Sequence, residues 1–427
     1  MRTYQNPSKE IWKELTKRPE LELDYLDSTV RNILTRVKKS GDYALKEFAR
    51  QFDKVSLESL AVSNNEIAAA IKATPEKLAN AIQVAYQNIE RFHQAQATPT
   101  LKVETMPGVV CQRKSVAIEK VGIYIPGGSA PLFSTVLMLG VPAKIAGCKE
   151  VILCTPPSAD GSINPAILFA ANLVGITKIF KVGGAQAIAA LAYGTESIPA
   201  VNKIFGPGNQ YVTKAKQLVA MDGMAIDMPA GPSEVLVFAD EKANPSFIAA
   251  DLLSQAEHGA DSQVVLVTTS REILSKVSTE IEVQLNILPR RDIAQESLKN
   301  SLFVLFDSAD NAFDFINAYA PEHLIINSAN ANNLLERVNN AGSVFIGEYT
   351  PEAAGDYASG TNHTLPTNGF AKAYSGVSLS SFQKHITIQE ISKEGIKQLG
   401  PVVEIMADAE NLVGHKNAIS IRLKSMR

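Results

Sequence analysis

The sequence predicts an α/β fold made of two Rossmann-like domains with mostly parallel sheets, a helical N-terminal segment and a small C-terminal tail domain. From Val121 to about residue 240, short apolar runs alternate with helical segments, which is typical of βαβ units and of a sheet covered on both faces. A second α/β pattern follows from about 239 to 378. Residues 1–95 carry helical patterns, and residues 379–427 are too few for an independent core.

The composition excludes several classes of protein. The chain has 427 residues, of which 45% are hydrophobic and 20% charged, as in ordinary globular proteins. A formal net charge of −3 gives no electrostatic footprint for nucleic acid. Because no apolar run is long enough to cross a bilayer and the N-terminus lacks a signal-peptide core, we expect no membrane partner and a cytoplasmic location. Three cysteines without a CxxC motif indicate neither a disulfide framework nor a thiolate zinc site.

The first 95 residues are expected to form helices that contribute core and no chemistry. Apolar residues repeat at helical spacing at Val30, Ile33, Leu34 and Val37. Gly41 interrupts this run, and Ser63 and Glu66 fit a capping box at the start of a later helix. The single tryptophan, Trp12, is predicted to be a packing anchor, and His93 a surface residue.

The next segments predict a hairpin and then a series of strands. Two apolar runs between about 98 and 120 flank Met106-Pro-Gly108 and predict the hairpin. The predicted strands are Val121–Ile125, Val151–Cys154, Ile179–Val182, Lys203–Phe205 and Val235–Phe238. Helices are predicted at 131–147, 164–175, 186–193 and 209–220. The domains are therefore expected to be 121–233, which binds a nucleotide, 1–120 together with 234–378, and the tail 379–427.

Three of the predicted strands end in turns of small residues. The turns are Tyr124–Gly128, Val182–Gln186 and Phe205–Asn209. Glycine lets a phosphate approach the backbone, and the helix that follows each turn offers oriented N–H groups. Three such turns at the same edge of one sheet predict a nucleotide-binding cleft. Any one of them alone is equally typical of an ordinary tight turn. None completes a Rossmann fingerprint, and the match of Asp227, about 20 residues beyond the third turn, to the ribose-binding acid is weak.

A helix in the second α/β region carries two possible metal ligands. Asn244 and Pro245 are typical of a helix start, and Gly259 of a helix end. A spacing of three places Gln255 and His258 on one face of the last turn, where they can bind a metal ion from one direction. The alternative is a solvated helix end.

The distribution of histidines strengthens this interpretation. Five of the six histidines fall in the last 170 residues. His323, His363 and His415 each lie near a carboxylate and near Gly or Pro, in predicted loops. Imidazole and carboxylate together are the usual material of a metal or acid–base site. His385 has no such neighbours and is expected to be structural or at an interface.

Seven motifs, together and in this order, resemble the histidinol dehydrogenase family over nearly the whole chain. They are Tyr-Ile-Pro-Gly-Gly-Ser-Ala-Pro-Leu-Phe-Ser (124–134), Val-Gly-Gly-Ala-Gln-Ala (182–187), Gly-Pro-Gly-Asn (206–209), Pro-Ala-Gly-Pro-Ser-Glu (229–234), Ser-Gln-Ala-Glu-His-Gly (254–259), Ala-Pro-Glu-His-Leu (320–324) and Gly-Asp-Tyr-Ala-Ser-Gly-Thr-Asn-His (355–363). The tail also keeps Glu410 and His415 at the separation that the family has.

The resemblance implies a site for each of three ligands. One Zn²⁺ per subunit would be bound by Gln255, His258, Asp356 and His415. His415 would come from the partner subunit of an intertwined homodimer. NAD would contact Tyr124, Gln186 and Asn209. The substrate would contact Ser233, Gln255, His258, His323, Asp356, His363, Glu410 and His415, directly or through the metal. Proton transfer would fall to Glu322 and His323.

The activity that the resemblance implies is the last step of histidine biosynthesis. L-Histidinol would be oxidised to L-histidine through L-histidinaldehyde, a four-electron change that reduces two NAD molecules. His323 would take a proton in each oxidation, and Glu322 would activate the water that attacks the aldehyde. With Asp356 as the only anionic ligand, the zinc centre would keep a charge of about +1 and anchor the substrate.

Three alternatives remain at the level of sequence. A zinc hydrolase would use Glu322 to activate water, but there is no HExxH motif and the glycine turns would have no role. In a binding protein the zinc would be purely structural, but such sites are usually rich in cysteine. A related enzyme that oxidises another alcohol with an ammonium or anionic group is the alternative that sequence distinguishes least well.

Overall fold

The computed structural model describes residues 1–19, 24–127, 131–229 and 231–426. Within these residues it has fourteen strands. They are β1 Arg2–Gln5, β2 Leu101–Met106, β3 Val109–Ala117, β4 Lys120–Tyr124, β5 Glu150–Thr155, β6 Lys178–Lys181, β7 Lys203–Phe205, β8 Ala225–Ile226, β9 Glu234–Ala239, β10 Gln263–Thr268, β11 Leu302–Leu305, β12 His323–Asn327, β13 Ser343–Ile346 and β14 Gln383–Ile391. The five strands predicted between 121 and 240 are confirmed to within about two residues at each end.

The same described residues form sixteen α-helices. They are α1 Lys9–Leu15, α2 Asp24–Phe48, α3 Asn64–Ala73, α4 Glu76–Gln94, α5 Phe133–Ala146, α6 Pro165–Val174, α7 Gly184–Tyr193, α8 Gln210–Met221, α9 Pro245–Ala256, α10 Arg271–Leu285, α11 Arg291–Lys299, α12 Ala309–Tyr319, α13 Ala331–Leu335, α14 Glu352–Tyr357, α15 Lys393–Ala409 and α16 Val413–Lys424. None of the helices in this part of the chain combines the length and the apolar content that spanning a bilayer requires.

The larger sheet has six parallel strands in the order β1-β11-β10-β9-β12-β13. Alternate residues of β9 point to opposite faces, so Val235 and Val237 pack with α9, α10 and α11, whereas Leu236 and Phe238 pack with α1 and α12. Trp12 of α1 lies edge-on against Phe306 and Phe315, which confirms its prediction as a packing anchor. Burial on both faces explains the continuous apolar runs of these strands.

The second sheet has five parallel strands in the order β6-β5-β4-β7-β8. Helices α3, α4, α5 and α6 cover one face, and α2, α7 and α8 cover the other. The prediction placed residues 1–120 in one domain with the six-stranded sheet. In the structure, α2, α3 and α4 pack on the five-stranded sheet instead. Of the described N-terminal residues, those of β1 and α1 and Arg18 pack on the six-stranded sheet. An apolar stripe predicts that one face of a helix is buried, but it does not identify the sheet that buries it. The domain boundaries stay a prediction.

Local details of the N-terminal segment confirm some predictions and correct others. Ser63 and Glu66 form the predicted capping box. Gly41, with φ 48° and ψ −133°, kinks α2 instead of ending it. Strand β1 lies in a segment that was predicted to be helical. The sequence did not indicate it, because an edge strand of four residues is too short to show a clear periodicity. The tail strand β14 pairs antiparallel with β3, which also pairs with β2 and so confirms the hairpin.

The prediction of His93 as a surface residue is wrong. Its side chain is fully buried on the inner face of α4. Nδ1 donates to the carbonyl oxygen of Ile89 at 2.8 Å. Burial lowers the pKa of His93, and the neutral imidazole therefore continues the apolar stripe that contains Ile82 and Ile89.

Candidate active site

Two short segments bring three of the predicted metal ligands together. Gln255 lies in the last turn of α9, and Asp356 lies on α14. His258 follows the end of α9 and is not in its last turn as predicted, because the helix ends at Ala256. Ligand atoms of His258, Glu352 and Asp356 all lie within 4.8 Å of one another. Residues almost a hundred positions apart in the chain thus form one cluster.

Glu352 is a member of this cluster that the sequence analysis missed. It begins α14, it is buried, and it lies one helical turn before Asp356. With its NH₂ group turned toward Glu352, the amide of Gln255 donates to both carboxylate oxygens. This orientation leaves the carbonyl oxygen of Gln255 available as a ligand. The only signal in the sequence was the spacing of four between two carboxylates after Pro351.

The cluster suits a divalent cation. Zinc and similar divalent metals are bound by imidazole nitrogens, carboxylate oxygens and amide oxygens. Burial raises the pKa of Glu352 well above its usual range, and nearby Asp356 and Glu322 add to this effect. A cation would relieve this concentration of carboxylates. His323 Nε2, buried and without a hydrogen-bond partner, lies 3.4 Å from Asp356 Oδ1.

Glu322 and His323 lie at the amino end of strand β12, and His323 is its first residue. The prediction of a loop for His323 is therefore corrected. Nδ1 of His323 lies 3.1 Å from the carbonyl oxygen of Glu234. Because a carbonyl oxygen can only accept, Nδ1 carries the proton in this contact. Nε2 then faces Asp356 and the metal cluster.

The environments of these two side chains shift both pKa values. Burial raises the pKa of Glu322 to about 8, although the neighbouring His323 acts to lower it. Burial alone would lower the pKa of His323, but Glu322, Glu352 and Asp356 together hold it well above its ordinary value. Asp356 has a lowered pKa because its contact with His323 outweighs its burial. Such opposed shifts in one cleft are typical of proton-transfer sites.

A cavity of about 310 Å³ connects this cluster with the five-stranded sheet. It is lined by Ser233, His258, Glu322 and His363 on one side, and by the turn that ends at Asn209 on the other. His363 is fixed by both nitrogens: Nδ1 donates to the carbonyl oxygen of Asp356 at 2.8 Å, and Nε2 lies 3.0 Å from Thr135 Oγ1. Apart from Glu410 and His415, the residues predicted to contact the substrate therefore lie in or beside one cavity.

The predicted nucleotide contacts line a second cavity, of about 730 Å³, at the carboxyl ends of β4 and β6. Tyr124, Gln186 and Asn209 all face it. The Tyr124 hydroxyl accepts from the backbone N–H of Gly184, where α7 begins. Asn209 also lines the 310 Å³ cavity, so the two cavities are adjacent. Gly128 of the first predicted glycine turn lies outside the described residues.

The third glycine turn has a structural need for glycine. Gly206 has φ 124°, and a Cβ there would lie 2.1 Å from the carbonyl oxygen of Tyr124. Lys216 donates to the carbonyl oxygen of Gly206 at 2.9 Å, and the backbone N–H of Gly206 donates to the Asp227 carboxylate at 2.8 Å. Lys216 and Asp227 are themselves a buried ion pair. Asp227 therefore supports the turn, which replaces its weak interpretation as a ribose ligand.

The structure does not bring Glu410 and His415 to the cluster of the same chain. Glu410 directly follows α15, and His415 lies on α16, not in a loop as predicted. Both are exposed. His385 lies on β14, with Nδ1 3.2 Å from Ser115 Oγ on the paired strand β3. Glu410, His415 and His385 thus lie in the C-terminal tail, which contains strand β14 and helices α15 and α16.

Comparison with known proteins identifies the family of the chain. The sequence profile described as histidinol dehydrogenase matches residues 16–423. The chain is 60% identical over 427 residues to a histidinol dehydrogenase of Bacteroides fragilis (strain YCH46), with 100% of each chain covered. It is 55% identical to that of Colwellia psychrerythraea (strain 34H / ATCC BAA-681), over 93% of this chain and 92% of the relative.

Solved structures give the same result. The crystal structure of histidinol dehydrogenase from Elizabethkingia anophelis has a TM-score of 0.98 and 55% identity, and covers 100% of this chain and 98% of its own. An NAD-dependent aldehyde dehydrogenase from Sinorhizobium meliloti has a TM-score of 0.50 at 16% identity, over 86% of this chain and 87% of its own, and shares features of the fold alone.

Proposed function

The chain belongs to the histidinol dehydrogenase family, and we propose that it catalyses the NAD-dependent four-electron oxidation of L-histidinol to L-histidine through L-histidinaldehyde. One observation carries the proposal. Asn209, at the glycine turn of the five-stranded sheet, lines both the 730 Å³ cavity and the cavity that contains His258 and Glu322. A dinucleotide in the first would reach a substrate in the second. This arrangement gives the glycine turns a role that a hydrolase or a structural zinc protein would not need.

The residues that would hold Zn²⁺ in this chain are Gln255, His258 and Asp356. When bound, the ion would act as a Lewis acid that anchors the imidazole and amine of histidinol. Glu352 supports this set, because its carboxylate accepts from the Gln255 amide and so orients the carbonyl oxygen. The site in each subunit would be completed by His415 of a second copy.

Tyr124, Gln186 and Asn209 are the residues that would contact NAD. The nicotinamide would accept one hydride in each of the two oxidations. The protein would contribute the cavity, the orientation of the reacting carbon and the exclusion of water. The Tyr124 hydroxyl and the backbone N–H groups at the start of α7 contribute to the polar lining of this cavity, together with Gln186 and Asn209.

His323 is the proposed base in both oxidations. Its Nδ1 proton is donated to the carbonyl oxygen of Glu234, which leaves Nε2 to take the proton from the hydroxyl group of the alcohol and later of the aldehyde hydrate. Glu322, Glu352 and the negative charge of Asp356 hold the pKa of His323 well above its ordinary value. Engagement of Asp356 with a cation would bring the pKa of His323 closer to neutrality.

Glu322 is the proposed base for aldehyde hydration. A carboxyl group with a pKa of about 8 is a stronger proton acceptor than an ordinary glutamate. It would take a proton from water as the water oxygen bonds to the aldehyde carbon, while the aldehyde oxygen takes the proton that His323 accepted in the first oxidation. The hydrate would then lose a hydride to the second NAD, with His323 again as the base. The two bases thus have separate tasks.

An intertwined homodimer is part of the proposal. Glu410 and His415 are exposed in a single chain, and several large apolar side chains of the tail are exposed with them: Ile386, Ile388, Val402, Ile405, Met406, Val413 and Ile421. Contact with a second copy would cover these side chains and bring Glu410 and His415 of the partner to the metal cluster.

The stoichiometry of NAD reduction tests the proposed function. We expect two equivalents of NADH per L-histidinol, because conversion of an alcohol to an acid removes four electrons. A chelator should abolish the reaction, and Zn²⁺ should restore it. Other amino alcohols serve as the control, because a related enzyme for another alcohol would oxidise one of them faster. One equivalent of NADH, or none, contradicts the proposal.

Subunit mixing tests whether the site is shared. His415→Asn and Gln255→Ala homodimers should each be nearly inactive, since each lacks a metal ligand in both sites. A mixed dimer should regain up to about half of the wild-type activity, because one of its two sites has every ligand. The measurement is activity after subunit exchange, with exchange followed by mass labels. Mixed dimers that remain inactive would falsify the shared site.

A further inference from the structure

Glu234 contacts both residues of the proposed proton-transfer pair, although it does not line the substrate cavity. Its backbone N–H donates to Glu322 Oε2 at 2.9 Å, and its carbonyl oxygen accepts from His323 Nδ1. Its side-chain Oε1 accepts from the backbone N–H of Glu322 at 3.2 Å. The first residue of β9 therefore holds Glu322 by two contacts and His323 by one.

Arg18 holds the carboxylate of Glu234. Its Nε lies 2.6 Å from Oε2 and its Nη2 2.8 Å from Oε1 of Glu234, a two-point ion pair in which both side chains are buried. Nη2 also donates to the carbonyl oxygen of Tyr319 at 2.8 Å, and the guanidinium lies 3.5 Å from the centre of the Tyr319 ring. Arg18 thus joins the start of β9 to the end of α12.

The segment that Arg18 holds leads directly to Glu322. Helix α12 ends at Tyr319, and Ala320 has left-handed backbone angles, φ 54° and ψ 68°. A side-chain-bearing residue holds such angles only where its surroundings enforce them. The carbonyl oxygen of Ala320 lies 3.4 Å from Arg18 Nη2. The guanidinium therefore binds two consecutive carbonyl oxygens at the start of the turn that leads to Glu322.

We propose that Arg18 is a positioning residue, whose buried pair with Glu234 holds Glu322 in place for aldehyde hydration. The inference rests on the proposed function, in which Glu322 activates water. A buried ion pair contributes little net stability compared with apolar residues of the same volume, but it fixes geometry. Lysine would keep the charge of Arg18 and lose the two-point contact.

The test compares the oxidation of L-histidinaldehyde with that of L-histidinol in the holoenzyme. In the double variant Arg18→Met/Glu234→Gln, both charges are removed, so that no buried carboxylate is left unpaired. We expect aldehyde oxidation to fall about 10²-fold, the scale of a misplaced catalytic group, and at least about tenfold more than alcohol oxidation. KM for histidinol and zinc content should not change, and Arg18→Lys should be intermediate.

The ratio of the two rates separates positioning from folding. Loss of folded enzyme lowers both rates by the same factor, whereas a misplaced Glu322 lowers the aldehyde rate further. Tyr319→Phe is the matched control: it removes the hydroxyl that donates to Gln263 at 2.7 Å, keeps the ring under Arg18, and should leave the ratio unchanged. If the double variant does not fold, Arg18→Lys, which keeps the positive charge beside Glu234, decides by the same ratio.

A wild-type ratio in the folded variant overturns the proposal. Failure of the proposed function is a different result, because the wild-type enzyme itself would then not form two equivalents of NADH. An equal fall of both rates with an unchanged ratio also counts against the role of Arg18 in positioning.

Discussion

Replacement of Glu322 by glutamine is expected to slow the oxidation of L-histidinaldehyde by about 10²- to 10⁴-fold, the usual contribution of a general base. Glutamine has nearly the same shape, and its amide oxygen can still accept from the Glu234 N–H, as Glu322 Oε2 does at 2.9 Å. It cannot accept a proton from water. Alcohol oxidation, for which His323 is the proposed base, should fall by less than about tenfold.

The pH dependence gives this prediction a second measurement. A base acts in its ionised form, and the pKa of Glu322 is about 8. The ionised fraction therefore increases with pH, and wild-type aldehyde oxidation should rise from about pH 7 to about pH 9. The Glu322→Gln enzyme should lack this rise. Single-turnover rates with each substrate and NAD are the measurement.

Glu322→Asp is the control, because it keeps the carboxylate and moves it by about one bond. It should retain more aldehyde oxidation than Glu322→Gln and keep the rise with pH. If Glu322→Gln instead stops alcohol oxidation and spares aldehyde oxidation, the proposed division between Glu322 and His323 is wrong.

Much of the fold was predictable because its signals are local. The strands at 151–154 and 203–205 are short apolar runs between helical segments, and each is found in the five-stranded sheet. Asn244 and Pro245 marked the start of α9, and the Asn244 side chain accepts from Ser246 N–H as a helix cap does. Such features depend on a few neighbouring residues, and the sequence therefore contains them.

The unpredicted features depend on residues far apart in the chain. Arg18 and Glu234 form their ion pair across 216 positions, and nothing near either residue indicates the other. His93 continues the apolar stripe of its own helix, but its burial depends on what packs against that face. Glu352 becomes a candidate only when α14 lies beside the end of α9. These contacts are products of tertiary packing.

The roles of the site residues stay a prediction from the sequence. The motifs singled out Gln255, His258 and Asp356. In the structure, ligand atoms of His258 and Asp356 lie within 4.8 Å of each other, and Gln255 is hydrogen-bonded to Glu352 beside them. Which of these donors bind the metal is a question for substitution. Glu352 and Asp356 provide the comparison, since both are carboxylates on α14 and both face the cluster.

Asp356→Asn should cause the largest loss of zinc. Asp356 is the only anionic ligand in the proposed set, and its lowered pKa keeps it ionised at neutral pH. An asparagine in its place offers a neutral oxygen of the same shape. We expect zinc affinity to fall by more than the roughly 10- to 100-fold that the loss of a supporting residue costs. Zinc content after dialysis against a competing chelator measures this without reference to activity.

Glu352→Gln is the matched comparison. In the proposed arrangement Glu352 acts through Gln255, and its amide analogue can still accept from the Gln255 NH₂ group. Zinc affinity should therefore fall by no more than about 10- to 100-fold, the cost of a supporting residue. The two substitutions make the same chemical change one helical turn apart, so a general effect of lost charge would affect both equally. If Glu352→Gln loses more zinc than Asp356→Asn, then Glu352 is the direct ligand and Asp356 acts chiefly through its 3.4 Å contact with His323.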